Sequence, residues 1–398
     1  NWTMAFVAMN SSVDPATLAR PPIHVALLLE HTSRIPFDTD DLVAGLRELV
    51  FALRPEDRVT IISVGSSAEV LLEEASSSSP AIGDTVRELS ASAVSSGAAT
   101  YDALAEAQRV LESFEGQRRI VMLTSGRADA GVASETRAIE LARDIAAAGT
   151  SIAVVGAAEG VAYSDRLPLA LGELGAGAYY FADSASALTE ILRLEGQTAL
   201  FPLATDFELR IEAAEGYRIG RVVGARASSI DERAVTISSP MLLLGQREGA
   251  TDVDMGRRGG GGGVFVELIA EPGSGIGPGA GAFRATARYT DAIASAPVEL
   301  SQLVVNALAP GANPEGMWPS FSDPDFGKPF MVLNMYLALR GAVDFYDAGD
   351  CARAMGIADM MRRSVEGWQA SEADPDIDAD WNLLLDVRAN VQAQCESA

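Results

Sequence analysis

The apolar run at residues 23–29, IHVALLL, constrains the fold more than any other stretch of this sequence. The run is followed at once by the polar residues EHTSR at 30–34. Such a run is typical of a strand that is buried on both faces of a parallel sheet and ends in a loop at the sheet's carboxyl edge. Open α/β sheets bind their ligands at this edge. The sequence therefore predicts a binding site in the loop that begins at Glu30.

The stretch that follows alternates between helical and strand periodicity, which is typical of a doubly wound α/β domain. Helices are predicted at residues 38–53, 82–89, 101–114, 134–148, 165–174 and 184–194. Strands are predicted at residues 58–64, 119–124, 151–155 and 178–181, and a short antiparallel neighbour at 69–73. These elements indicate a mostly parallel, Rossmann-like sheet with helices on both faces.

Beyond residue 199 the apolar residues recur with a period of two, which is typical of antiparallel strands. The alternation occurs at residues 207–211, 235–237, 264–268, 283–289 and 300–305. We expect roughly five to seven short strands in a β-sandwich. Residues 309–328 have the Pro- and Gly-rich composition of a linker. Residues 330–347, 350–369 and 376–395 are then predicted to form three amphipathic helices.

Several motifs in residues 21–195 resemble those of von Willebrand factor type A (VWA) domains. In that family the first apolar strand runs into Asp-x-Ser-x-Ser, which here aligns with Glu30, Thr32 and Arg34. The segment RPEDRVTIISVGSSAEVLL is similar to the family's second strand and hairpin, and RIVMLTSG to a later strand that ends in Thr-Asp-Gly. GELGAGAYYFADSASAL is similar to the last strand and helix. The resemblance implies a VWA fold.

In bacterial proteins that resemble this one, a strand before the VWA domain pairs with a β-sandwich after it. The apolar run WTMAFVAM at residues 2–9 fits such a strand. The resemblance thus implies a VWA domain inserted in an antiparallel β-sandwich and followed by a helical domain. The expected segments are an N-terminal strand and connector at 1–19, the VWA domain at 20–196, the β-sandwich at 197–308, the linker at 309–328 and the helical domain at 329–398.

The resemblance also identifies the positions at which VWA domains bind magnesium. Glu30 keeps a carboxylate and Thr32 keeps a hydroxyl. Arg34, Ala98 and Ser125 replace the other three ligands. A guanidinium about 4 Å from the cation would oppose it by roughly 4 kcal/mol per unit charge at an effective dielectric of about 20. We therefore expect a degenerate site without a metal cofactor, in which Arg34 pairs with Glu30 instead.

Two alternatives to this interpretation stay open. A shift of two residues would bring Thr100 into the position of Ala98, although the spacing to Asp102 then becomes too short. Other carboxylates could hold magnesium or manganese in a displaced site, which would make the chain a metal-dependent adhesion module. These carboxylates are Asp38, Asp40, Asp102 and Asp129.

No motif in the sequence supports an enzymatic activity. His24 and His31 are the only histidines, and the order of elements does not bring His31, Ser33 and Asp38 into a catalytic triad. Neither a Gly-x-Ser-x-Gly elbow, nor a Walker loop, nor a His-Glu-x-x-His motif occurs. We expect a non-enzymatic protein that binds another protein or further copies of itself. The loop residues expected to contact a partner are His31, Ser33, Arg34 and Asp129.

Charge and cysteine content limit the partners and the compartment. Acidic residues outnumber basic ones by 55 to 30, so a net charge of −25 repels nucleic acid. No apolar run of roughly 18 residues occurs, so no transmembrane segment is expected. Cys351 and Cys395 are the only cysteines, and a disulfide between their predicted helices would indicate an oxidising compartment. We expect an exported protein that is extracellular, on the cell surface or periplasmic.

Overall fold

The computed structural model describes residues 2–9, 21–92, 94–95, 97–127, 131–158, 163–198, 202–243, 262–274, 276–306, 327–371 and 374–397. These residues form an α/β unit, a β-sandwich and a helical unit. The chain begins with strand β1 (Trp2–Met9). The α/β unit contains β2 (Ile23–Glu30), α1 (Thr39–Phe51), β3 (Arg58–Val64), β4 (Ala68–Ser76), α2 (Ala81–Ala91), α3 (Thr100–Glu112), β5 (Gln117–Thr124), α4 (Gly131–Ala147), β6 (Thr150–Gly156), α5 (Arg166–Leu174), β7 (Ala178–Phe181) and α6 (Ala185–Thr198).

The α/β unit is built on a six-stranded sheet in the order β4-β3-β2-β5-β6-β7. Neighbouring strands are parallel, except that β4 runs antiparallel to β3. Every residue of β2 is buried, because helices cover both faces of the sheet. Val25 and Leu27 pack with α1 and α6, whereas Ala26 and Leu28 pack with α3 and α4 on the other face. The predicted doubly wound arrangement is confirmed.

Two antiparallel sheets form the β-sandwich. Its strands after β1 are β8 (Ala204–Ala213), β9 (Tyr217–Val223), β10 (Ser229–Ile230), β11 (Ala234–Leu242), β12 (Gly262–Ala270), β13 (Gly281–Asp291) and β14 (Ala296–Val305). The sheet β1-β12-β9 and the sheet β10-β11-β8-β13-β14 share one apolar core. Strand β1 pairs with β12 along its length, from Trp2 opposite Ile269 to Met9 opposite Gly262. The α/β unit is therefore inserted between β1 and the other strands of the sandwich, as the resemblance to VWA proteins implies.

Three helices complete the described chain: α7 (Gly327–Asp347), α8 (Cys351–Ser371) and α9 (Pro375–Ser397). Helix α7 begins at Gly327, one residue before the predicted end of the linker, and residues 309–326 of that linker lie outside the described residues. Pro329 fits the first turn of a helix, and Lys328 Nζ lies 2.9 Å from Asp374 Oδ2, which holds this turn against the start of α9. Among the helices described, none has both the length and the apolar character needed to cross a bilayer.

A disulfide joins Cys351 to Cys395, the two cysteines for which the sequence leaves pairing open. Cys351 is the first residue of α8, and Cys395 lies near the end of α9. Their Cα atoms are 6.3 Å apart. The bond therefore ties the start of α8 to the end of α9 across a small helical core.

Candidate binding site at the carboxyl edge of the parallel sheet

Strands β2 and β5 end side by side at the carboxyl edge of the six-stranded sheet. Their parallel register places Leu29 opposite Leu123, so Glu30 lies beside Thr124 and the loop that starts at Ser125. The loop before α3 joins the same edge, because the Ser95 N–H donates to the carbonyl of His31 at 2.9 Å. Parallel pairing thus brings together three loops that are far apart in sequence.

The carboxylate of Glu30 lies at the centre of these loops and is buried. Its Oε1 accepts hydrogen bonds from Thr32 Oγ1 at 2.6 Å and from Ser125 Oγ at 2.7 Å. Its Oε2 accepts from Thr124 Oγ1 at 2.8 Å and from the Ser125 N–H at 2.7 Å. Both oxygens of a buried carboxylate are therefore supplied with donors, from its own loop and from the end of β5, which offsets the cost of its desolvation.

Arg34 supplies the fifth donor to this carboxylate. Its Nη2 lies 3.3 Å from Glu30 Oε1, and its Nε donates to Thr32 Oγ1 at 3.4 Å. The Glu30 side chain is fully shielded from solvent, whereas a quarter of the Arg34 side chain is exposed. This ion pair is the contact that the sequence predicts between residues 30 and 34. It gives the buried carboxylate a counter-charge from within its own loop.

The described residues around Glu30 differ from a typical site for a divalent cation. Magnesium requires several oxygen ligands in near-octahedral geometry, of which one or two are usually carboxylates. Among the described residues of this cluster, Glu30 provides the one carboxylate, which already accepts five hydrogen bonds, and one of the donors is a guanidinium. Among the described residues, no three His, Cys, Asp or Glu side chains are grouped so that they could hold a metal ion.

Ala98, which aligns with the metal-binding threonine of VWA domains, has no ligand atom in its side chain. Ala98 is fully buried, and its loop is fixed by a hydrogen bond from the Ala99 N–H to the carbonyl of Gly65 at 2.7 Å. Thr100, the alternative residue, is the first residue of α3 and is also buried. Its hydroxyl has no hydrogen-bond partner among the described residues. None of the hydrogen bonds to Glu30 therefore comes from this segment.

The other predicted loop residues have different surroundings. Ser33 is exposed, whereas His31 is partly buried and its Nδ1 lies 3.4 Å from Ser92 Oγ. Partial burial lowers the pKa of His31, because it disfavours the charged imidazolium. Asp129 lies outside the described residues.

Three of the carboxylates considered for a displaced cation site lie at the starts of α1 and α3. Asp38 caps α1, where its side chain accepts from the Asp41 N–H at 3.0 Å. Asp40 and Asp102 are exposed in the first turns of α1 and α3. Their positions are those that a helix dipole favours for acidic residues, so helix capping accounts for them.

His24 lies at the opposite end of β2 and is completely buried. Its Nε2 lies 2.8 Å from Thr60 Oγ1 on β3, and its ring stacks edge-on against Phe114. Burial and the positive charge of Arg58 lower the pKa of His24 to about 4. The fold therefore requires a neutral imidazole at this position. His24 and His31 lie at opposite ends of β2 and do not contact each other's partners.

We expect His24 to make the chain sensitive to acid. In the unfolded chain the His24 imidazole binds a proton near pH 6.5, whereas in the folded chain it does so only near pH 4. The stability that comes from keeping this imidazole neutral is therefore fully present above pH 6.5. It is lost as the pH falls from 6.5 through 4, and amounts to up to about 3 kcal/mol. Urea unfolding of the wild type and His24→Gln across this range measures it. The slope of stability against pH should be shallower in His24→Gln, whereas His31→Gln should change it little. An unchanged slope in His24→Gln would contradict this assignment.

The sequence gives no signal for an aromatic pair at the end of β6. The hydroxyls of Tyr163 and Tyr179 lie 2.6 Å apart, and Tyr163 lies directly against Gly156, where a side chain would collide with it. Burial raises the pKa of both phenols. Gly126, with φ of +79°, lies so close to the Ser164 carbonyl that no side chain fits there. These contacts pack Tyr163 and Ser164 against the carboxyl ends of β5 and β6.

Comparisons with known proteins support the fold. No family model and no curated protein matches the chain. Among solved structures, a von Willebrand factor type A protein from Catenulispora acidiphila is similar with a TM-score of 0.59 and 13% identity, over 91% of this chain and 87% of that one. The ArnB paralog VWA2 from Sulfolobus acidocaldarius is similar with a TM-score of 0.51 and 15% identity, over 98% of both chains. Identities this low show the fold alone, and that fold is the VWA fold expected from the sequence.

Proposed function

We propose that this chain is a non-enzymatic protein-binding or structural protein whose VWA carboxyl edge binds a partner protein without a divalent cation. The observation that carries the proposal is the saturation of Glu30 by five donors, one of which is Arg34. A carboxylate in this state has no lone pair left over for a metal. The hydrogen bonds of Thr124 and Ser125 to Glu30 join the loops after β2 and β5, which is the structural task that a bound cation would otherwise perform.

The accessible part of this edge has the properties of a recognition surface. Ser33 is exposed, and Arg34 is anchored at Glu30 while a quarter of its side chain is exposed to solvent. Loops on a rigid sheet are the usual location of binding residues, because the sheet fixes their geometry. An Arg that is already held in place loses little conformational entropy when it hydrogen-bonds a partner.

Export is part of the same proposal. The disulfide between Cys351 and Cys395 supports it, because such bonds persist in oxidising compartments and are rare in the cytosol. The net charge of −25 is compatible with a solvated surface in such a setting.

A metal titration tests the first half of the proposal. Isothermal titration of the whole chain with magnesium or manganese should give no binding heat, and the midpoint of thermal unfolding should be equal in EDTA and in either metal. A ligand at 100 times its dissociation constant would stabilise the chain by about 2.7 kcal/mol, which is easily detected. The positive control restores the family's ligands through Glu30→Asp, Thr32→Ser, Arg34→Ser, Ala98→Thr and Ser125→Asp. Saturable heat from the wild type would instead support the metal-dependent adhesion module.

Protein capture tests the second half. The immobilised chain is exposed to an extract of its source cells in EDTA, and specifically bound protein should be retained. Ser33→Tyr places a bulky group on the carboxyl edge, whereas Ser78→Tyr places the same group at an exposed serine on the opposite edge of the sheet. Retention should fall for Ser33→Tyr and persist for Ser78→Tyr. Equal retention by both variants, or a loss of binding in EDTA, would contradict the proposal.

A further inference from the structure

Strand β14 forms one edge of the five-stranded sheet in the sandwich. The other edge, β10, is only two residues long, whereas β14 has ten residues. Within the described residues, β14 pairs with β13 on one side and with no strand on the other. A long unpaired edge of this kind is a template for pairing with another chain.

The hydrogen bonds at the end of β14 establish which of its peptide groups face outward. The Asn306 N–H donates to the Ala280 carbonyl at 2.8 Å, and the Asn306 carbonyl accepts from the Gly279 N–H at 2.8 Å. Residue 306 therefore faces the β13 side. Peptide groups alternate in direction along a strand. The N–H and carbonyl groups of Glu299, Ser301 and Leu303 consequently point away from β13.

Beyond Pro297, the side chains of β14 from Val298 to Val305 do not protect this edge. Leu300 is 58% exposed, and Leu303 and Val305 are each 49% exposed. The only charged residue is Glu299, which is already bound to Arg288 of β13 at 2.8 Å. The two edge strands of the α/β sheet differ from β14. Strand β4 carries several glutamates and has register shifts, and β7 has only four residues. Such features normally prevent edge pairing.

The local charge favours a second copy of this chain as the occupant. The whole chain has a net charge of −25, which repels copies of itself over most of its surface. Strands β13 and β14 together contain two basic and two acidic residues and are therefore neutral. These residues are Arg284, Arg288, Asp291 and Glu299. Two copies can approach through this hairpin with little electrostatic cost.

We propose that two copies of the chain associate through antiparallel pairing of their β14 strands, with a two-fold axis at Ser301. This register uses the outward peptide groups and places Ser301 opposite Ser301 of the second copy. It also places Glu299 opposite Leu303 and Val298 opposite Val304 of the second copy. No like charges oppose each other, and the exposed aliphatic side chains gain neighbours across the junction. The two five-stranded sheets then form one continuous sheet.

Two substitutions at one position test both the dimer and its register. Sedimentation velocity of the whole chain across the micromolar range should show a reversible dimer. Leu303→Glu places like charges opposite each other at two symmetric positions, and should weaken the dimer by at least about tenfold. Leu303→Lys removes the same apolar side chain but faces Glu299 of the second copy, and should retain the dimer. Met360→Glu, at a residue on α8 that is 72% exposed, controls for added charge and should have no effect.

Each remaining outcome argues against the proposal. A wild-type chain that stays monomeric would overturn it and would leave β14 to a different protein or to solvent. A dimer that Leu303→Glu and Leu303→Lys weaken equally would overturn the axis at Ser301. Cross-linking gives an independent readout, because both native cysteines are in the disulfide. Ser301→Cys should give cross-linked dimers with a short bismaleimide, and Met360→Cys should not.

Discussion

Replacing Arg119 with methionine should lower the free energy of unfolding by about 3–5 kcal/mol, because it leaves a buried carboxylate without its counter-charge. The side chain of Arg119, on β5, is 2% exposed and that of Glu195, on α6, is completely buried. The guanidinium donates to Glu195 and, at 2.6 Å, to Ser151 Oγ on β6. The Tyr180 hydroxyl also donates to the Glu195 carboxylate. The network thus fastens the last helix of the α/β unit to the sheet, and urea unfolding at neutral pH measures its loss.

Two further variants separate the charge effect from the loss of packing. Arg87→Met removes an ion pair with Asp84 in which both side chains are more than half exposed, and should cost less than about 1 kcal/mol. The double variant Arg119→Met with Glu195→Leu removes both buried charges and should recover most of the lost stability. Equal losses in Arg119→Met and Arg87→Met would show that the buried pair is no stronger than a surface pair.

Much of the α/β unit is predictable because buried strands and amphipathic helices have different periods. The predicted strands at 58–64 and 178–181 have the same bounds as β3 and β7. Strands β9 and β10 were not predicted. In YRIGRVV, Gly220 and two arginines interrupt the apolar pattern, and only Tyr217 and Ile219 are buried. Strand β10 is too short to have a period at all.

In the candidate site, contacts within one loop are predictable from the sequence, whereas contacts between distant segments are not. Glu30, Thr32 and Arg34 follow one another in a single loop, so their mutual contacts are predictable from spacing. Ser125 lies 95 residues from Glu30, and its two hydrogen bonds depend on the register of β2 against β5. The same limit applies to Arg119 and Glu195, which are 76 residues apart. An Arg at the start of a strand gives no sign in the sequence that a distant helix will bury it.

Removing the disulfide should destabilise the helical unit by about 4 kcal/mol, since the bond closes a loop between residues 44 positions apart and restricts the unfolded chain. The three helices share a small core, in which Met335, Val365 and Leu384 are among the buried residues. A core of this size contributes only a few kcal/mol by itself, so the bond is a large share of the total. We expect Cys351→Ser with Cys395→Ser to give a separate, earlier unfolding transition in calorimetry.

Chemical reduction of the Cys351–Cys395 disulfide in the wild type tests the same effect without a substitution. Dithiothreitol should lower the unfolding midpoint of the wild type and leave the double serine variant unchanged, because that variant has no bond to break. The α/β unit and the sandwich contain no cysteine, so their transitions serve as an internal reference in the same scan. An identical trace for the wild type with and without reductant would mean that helix packing alone holds α8 and α9 together. The disulfide would then be dispensable for the fold, and the strongest support for an oxidising compartment would be lost.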